Sequence, residues 1–124
     1  MSKIRINSSI INEIDNKKTI IKTIGIKENN KISYNDNKVN VTILINDNKI
    51  NMTREEKEYI LKLNFDCNND TKGTYLIEEI GTLELEIKTK NLKITMNNVY
   101  IEYELKLGEE YLGIYKYNLE FEVI

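Results

Sequence analysis

The chain has 124 residues and a formal net charge of −2, one domain's length with no electrostatic pull towards nucleic acid or an anionic membrane. It contains no His, which excludes Ser-His-Asp and Cys-His nucleophilic machinery and His-based metal sites. A single Cys excludes an internal disulfide and any Cys-cluster metal site.

The residue mix is rich in Ile, Asn and Lys and lacks Ala and Gln, as AT-rich codon usage dictates, so the Asn excess reads as drift rather than chemistry. The β-branched residues (21 Ile, 4 Val and 9 Thr) favour strands over helices. Lys3 and Arg5 are basic, but Ile4 and Ile6 alternate with polar residues, and no apolar block of roughly 7–15 residues follows as in a signal peptide. An apolar run such as Ile43-Leu44-Ile45 is far short of a membrane span. The lone Cys67 fits a reducing compartment, so the expected location is cytoplasmic.

Along the chain the dominant period is two. Ile4, Ile6, Ile10 and Ile14 share one parity, and Ile20, Ile24 and Ile26 share that of the next segment. Asn35-Asp36-Asn37 reads as a turn, after which Val39, Val41, Ile43 and Ile45 alternate with polar neighbours up to Asn46-Asp47-Asn48. Thr53-Arg54-Glu55-Glu56 fits a capping box, which predicts a turn or a single helical turn over residues 53–58. Tyr59, Leu61, Leu63 and Phe65 form a strand, and 66–72 is an Asn/Asp-rich loop carrying Cys67. Leu83, Leu85 and Ile87 come next, with Glu84 and Glu86 between them. Asn97-Asn98 is placed as a hairpin turn, and Val99, Ile101, Tyr103, Leu105 and Leu107 as the next dry face. Past Gly108-Glu109-Glu110, the positions Tyr111, Gly113, Tyr115, Tyr117, Leu119, Phe121 and Val123 form one unbroken face. Successive strand side chains point to opposite sides, so each segment has one dry and one wet face. Antiparallel strands at this spacing, about nine or ten of them, make a sandwich or a barrel.

The run Gly73-Thr-Tyr75, then Gly81-Thr-Leu-Glu-Leu-Glu-Ile-Lys-Thr89, then the tyrosine-bearing hairpin from Val99 to Gly113 resembles the YwiB-like family of small proteins from low-GC Gram-positive bacteria. Upstream, Ile32-Ser-Tyr34, Ile50-Asn-Met-Thr-Arg54 and Leu63-Asn-Phe65 fall in the same order as in that family. One turn departs: Glu78-Glu79-Ile80-Gly81 stands where the family has Thr-Pro-Tyr-Gly. The resemblance covers the chain from about Gly25 onward. It implies a calycin fold and no biochemical activity. The expected architecture is therefore all-β: one domain over residues 1–124, an antiparallel meander closed into a lipocalin-like barrel of about 8–10 strands.

The leading functional expectation is non-enzymatic binding of a small apolar or amphipathic ligand inside that barrel, with no cofactor. Tyr75, Tyr103, Tyr115 and Tyr117 lie on the apolar parity and would offer hydroxyls to a ligand's polar end; the alternative is that they are core tyrosines. Gly113 either leaves room for a ligand or lets an aromatic ring lie across it. Arg54 at a barrel mouth would pair with a ligand carboxylate; its alternative is a surface ion pair with Glu56 or Glu58. The glutamate pairs Glu84/Glu86, Glu102/Glu104 and Glu120/Glu122 fall on the wet parity and read as solvated cross-strand charges. Lys and Glu alternate in sign, so no basic stripe for nucleic acid is expected. A second functional expectation is a protein-interaction face formed by Tyr100, Leu112 and Ile114, through which a homodimer would assemble.

Overall fold

The two-residue alternation is realised as ten antiparallel strands and no helix. A computed structural model describes Met1–Ile124, with β1 (Ser2–Asn12), β2 (Lys17–Glu28), β3 (Lys31–Asp36), β4 (Val39–Asn46), β5 (Lys49–Glu56), β6 (Tyr59–Asp66), β7 (Thr71–Ile77), β8 (Gly81–Ile94), β9 (Asn98–Leu107) and β10 (Glu110–Val123). Each strand pairs with its successor, and β1 pairs with β10, so the meander closes into the expected lipocalin-like barrel. There is no helix long and apolar enough to cross a membrane.

The apolar parity points inward. Nineteen buried apolar side chains form one continuous cluster filling the lumen, among them Ile6, Ile43, Ile50, Ile101 and Leu119. Each such side chain, fully buried, contributes roughly 1.5–3 kcal/mol. The opposite parity is wet, as the glutamates foretell: Lys72 pairs with Glu84 at 3.2 Å and Lys90 with Glu104 at 3.4 Å across neighbouring strands. Exposed pairs of this kind add at most about 1 kcal/mol each.

Several local expectations are corrected. Thr53–Glu56 is not a turn but the end of β5, paired with β4 and β6, and the turn is only Lys57-Glu58. Asp36 is the last residue of β3 rather than part of a turn, which falls on Asn37-Lys38. The loop expected over 66–72 shrinks to 67–70, because β6 runs to Asp66 and β7 starts at Thr71. The β8–β9 turn is Met96-Asn97, with Asn98 already in β9.

Two bulges reset the parity. At Lys90 the register shifts between Thr89 and Asn91, so Leu92 and Ile94, of the wet parity in β8's first half, turn inward. At Leu112 the register shifts between Tyr111 and Gly113. The last face is therefore broken: Tyr111 is exposed, its hydroxyl donating to Glu104, while Leu112 packs against the core. Leu112 thus leaves the exposed patch expected with Tyr100 and Ile114, both themselves half-buried.

Strand β2 reverses its expected parity. Gly25 faces inward, where a Cβ would stand 2.5 Å from Ile6 Cδ1 and 2.6 Å from the Ser33 carbonyl. Ile20, Ile24 and Ile26 consequently face outward, each about half exposed. Gly25 is also the position where β2 parts from β3: β1 pairs with Lys17–Lys27, but β3 pairs only with Gly25–Glu28.

Candidate functional site

One end of the barrel collects the unusual side chains. Cross-strand register places Tyr34 opposite Val41, Val41 opposite Arg54, Arg54 opposite Leu61, Leu61 opposite Tyr75 and Tyr75 opposite Leu83. These positions form one inward-facing layer across six strands. Arg54 is thus an inward charge, two residues past Met52 on the parity that supplies the core from β5. Its Nη2 donates to Asp36 Oδ2 at 2.9 Å, with side chains 23% and 15% exposed. Its partner is therefore not Glu56 or Glu58. Burial works against the Arg54 charge, but the Asp36 bond and the nearby Tyr34 hydroxyl outweigh it and raise the guanidinium's affinity for its proton. The bond to Asp36 uses one of five guanidinium donors.

The tyrosines surround this pair at different depths. Tyr117 is buried and its hydroxyl lies 2.7 Å from that of Tyr34. Tyr103 is buried between Phe65, ring centroids 4.7 Å apart, and Tyr115, stacked at 5.4 Å with planes 20° apart. Tyr59 and Tyr75 meet edge to face at 5.7 Å. Burial pushes the Tyr103 and Tyr117 hydroxyls well above their ordinary range, although the Arg54 charge pulls both back. Burial also raises Tyr115. Near neutral pH these three are uncharged hydroxyls.

The five residues singled out from sequence all point inward, then, but not equivalently. Tyr103 and Tyr117 belong to the core, whereas Arg54, Tyr75 and Tyr115 are half-buried at the mouth. Gly113, at a φ of 144°, has the space where a Cβ would go closed by Asn12, Ile14 and the Tyr115 ring, which answers for an aromatic neighbour rather than a ligand. Sequence reasoning missed Tyr34, Tyr59 and Asp36. Tyr34 and Tyr59 lie on the right parity. Asp36 does too, and reading it as a turn residue hid the only carboxylate that reaches Arg54. Cys67 is an exposed thiol in the β6–β7 turn.

Two concavities lie on the outside. One is an open groove of about 860 Å³ across β2, β1 and β10, bordered by Arg5, Lys22, Ile24, Glu120 and Glu122 and capped by Asn97. The other, about 400 Å³, lies over β7, β8 and β9 and is lined by charges of alternating sign, Lys72, Glu86, Lys88, Glu104 and Lys106.

Residues 4–119 match the family described as "Domain of unknown function (DUF1934)". Among solved structures, the crystal structure of the ywiB protein from Bacillus subtilis superposes with a TM-score of 0.75 at 18% identity, covering 99% of this chain and 92% of that one. At that identity the likeness speaks for the fold. No curated protein matches the chain.

Proposed function

This chain belongs to the DUF1934 family, and from that premise we propose that it is a non-enzymatic binding protein taking the carboxylate end of a small amphipathic molecule at the Arg54 mouth of its barrel. The observation carrying this reading is Arg54 itself. A guanidinium turned into an apolar barrel is costly, and replacing such an ion pair by apolar side chains is often neutral or stabilising. Stability alone is a weak reason to keep it. A planar fork with four further donors, near Tyr34 and Tyr59, suits a bidentate carboxylate.

The packed lumen restricts the rest of the ligand. Nineteen buried side chains leave its apolar body no deep channel, so it would lie across the half-buried mouth residues Leu61, Tyr75, Leu83 and Tyr115. Short aromatic or branched acids fit better than long-chain fatty acids. With eight Tyr and no Trp, intrinsic fluorescence comes from the tyrosines themselves.

Titration with an aryl-acetate and a long-chain fatty acid, monitored by tyrosine fluorescence and amide chemical shifts, tests the reading. The expected outcome is saturable shifts around Arg54 and Tyr75 for the short acid, weakened about tenfold or more in Arg54→Met, a loss of roughly 1.5 kcal/mol or more. Equal binding by Arg54→Met, or no shift at the mouth for any acid, overturns it.

A further inference from the structure

Strand β2 leaves the barrel half-paired. From Lys17 to Ile24 it has β1 on one side and no strand on the other. Along the free side the backbone N–H and C=O groups of alternate residues have no ladder partner, which makes a template for another strand. The outward row beside this edge is Ile20, Ile24 and Ile26, at 57%, 46% and 45% exposure. Lys22 and Ile24 also form one wall of the 860 Å³ groove, so the edge adjoins a concave surface.

The charge around the edge is one-sided. The strands Ser2–Asn12 and Lys17–Glu28 hold six of the chain's eighteen cationic residues and one of its twenty acidic ones, Glu28, at the β3-paired end away from the free edge. The sign alternation read from the sequence holds for the C-terminal strands but fails here. Glu13 and Asp15 lie at the hairpin tip, where Glu13 is held by Lys116 at 2.7 Å. Lys17, Lys18 and Lys22 are exposed and take part in no ion pair. In a protein of net charge −2 this is a segregated basic, apolar edge.

We infer that the free edge of β2 docks an extended segment of another protein, added as an eleventh strand, whose residues on the outer face, every second position, are acidic and apolar in turn to match Lys18, Ile20, Lys22 and Ile24. Its backbone would complete the β2 ladder, its apolar side chains would cover Ile20 and Ile24, and its carboxylates would meet Lys18 and Lys22. A second copy of this chain fits poorly. Its own β2 edge is equally basic, and the longest of the other strand segments without a second neighbour, Lys88–Ile94 of β8, carries Lys88, Lys90 and Lys93. Like charges across a strand pair destabilise it. Lysines at an edge also guard against such self-pairing, but a purely protective role gives no reason to display three isoleucines beside them.

The test uses the full chain and labelled peptides of about ten residues, a common strand length: one repeating Glu-Thr-Val-Thr (the Glu-Val peptide), one repeating Lys-Thr-Val-Thr (the Lys-Val peptide), and the Glu-Val peptide N-methylated at every second residue. Anisotropy and amide exchange are read with each. The Glu-Val peptide should bind, slow exchange of amides within 17–24, and weaken about tenfold or more in Lys18→Glu/Lys22→Glu, whose positions are exposed and leave the core untouched. Binding should fade in about 1 M salt, where the screening length is ~3 Å, and vanish for the N-methylated peptide, which cannot extend the ladder. Equal binding of the Lys-Val peptide, retention by the N-methylated one, or no peptide binding overturns the inference. So would self-association of the unliganded chain that is abolished by Lys18→Glu/Lys22→Glu, or a single-stranded oligonucleotide protecting the same amides instead.

Discussion

Tyr34 and Tyr117 show how far a single polar contact can matter in an apolar lumen. Each hydroxyl has the other as partner, 2.7 Å away and buried. Removing one leaves its mate without a partner, which costs about 1–3 kcal/mol, whereas removing both leaves two rings that still pack. Urea denaturation should therefore find Tyr34→Phe and Tyr117→Phe each destabilised by about 1–3 kcal/mol, and the double variant by clearly less than their sum. Strict additivity would show that the hydroxyls do not depend on each other. Arg54 was legible as a candidate as one of two arginines among eighteen cationic residues, but reading residues 53–58 as a turn hid its place on the core parity of β5, and its partner was not legible. Asp36 is eighteen residues away, and only the β3–β4–β5 register brings the two together. The Asn excess, read as drift, also has a local use: Asn16, Asn29, Asn37 and Asn48 are four of the six non-glycine residues with positive φ. Asn tolerates that conformation better than most residues, so the turns draw on what the composition supplies.

For whole strands, alternation is readable only while the ladder is regular. Val39–Ile45 and Val99–Leu107 behave as the parity predicts, because β4 and β9 carry neighbours on both sides along their length. The reading failed at Leu112, where one extra residue puts Tyr111 out of phase with the inward face from Gly113 on, and at Lys90 another inverts the later positions of β8, although nothing in Thr89-Lys90-Asn91 announces a bulge. It also failed in β2, whose isoleucines look like a core face but stand outside the barrel because Gly25 occupies the inner side. The Lys90 bulge carries a prediction of its own. Deleting Lys90 would place Leu92 and Ile94 on the wet face and so remove two partly buried side chains from the core. A loss of about 2–4 kcal/mol is expected by thermal or urea melting, half or more of what full burial of two such residues supplies. Substituting Lys90→Ala keeps the bulge and should cost less than about 1 kcal/mol, the limit for its exposed ion pair with Glu104. If deletion and substitution cost the same, the bulge does not set the register.

Taken as a whole, the molecule concentrates its buried tyrosines inside one ring of strands, which makes its stability fall at high pH. Tyr103 and Tyr117 hold their protons in the folded barrel far more tightly than in an unfolded chain, where tyrosine titrates near pH 10. Folded values above the unfolded one mean that this contribution is complete below about pH 10 and is lost as pH climbs towards the folded values. Alkaline titration should show exposed Tyr111 ionising before Tyr103 and Tyr117, with the last tyrosinate absorbance rising together with loss of the sheet signal. Tyr103 and Tyr117 ionising smoothly while the sheet stays intact would contradict it.

The pairing of β1 with β10 ties Arg5 to Glu122 across 117 residues of chain. During synthesis β1 emerges first and can fold back on β2, but its other flank waits for a strand made last. Until then a row of exposed amides and the inner side chains Ile4 and Ile6 face solvent or a chaperone. Contacts this distant in sequence make closure the slow, entropically expensive step of folding. A nascent chain arrested before Glu110 would present an unsealed sheet, prone to stick to its neighbours on the polysome.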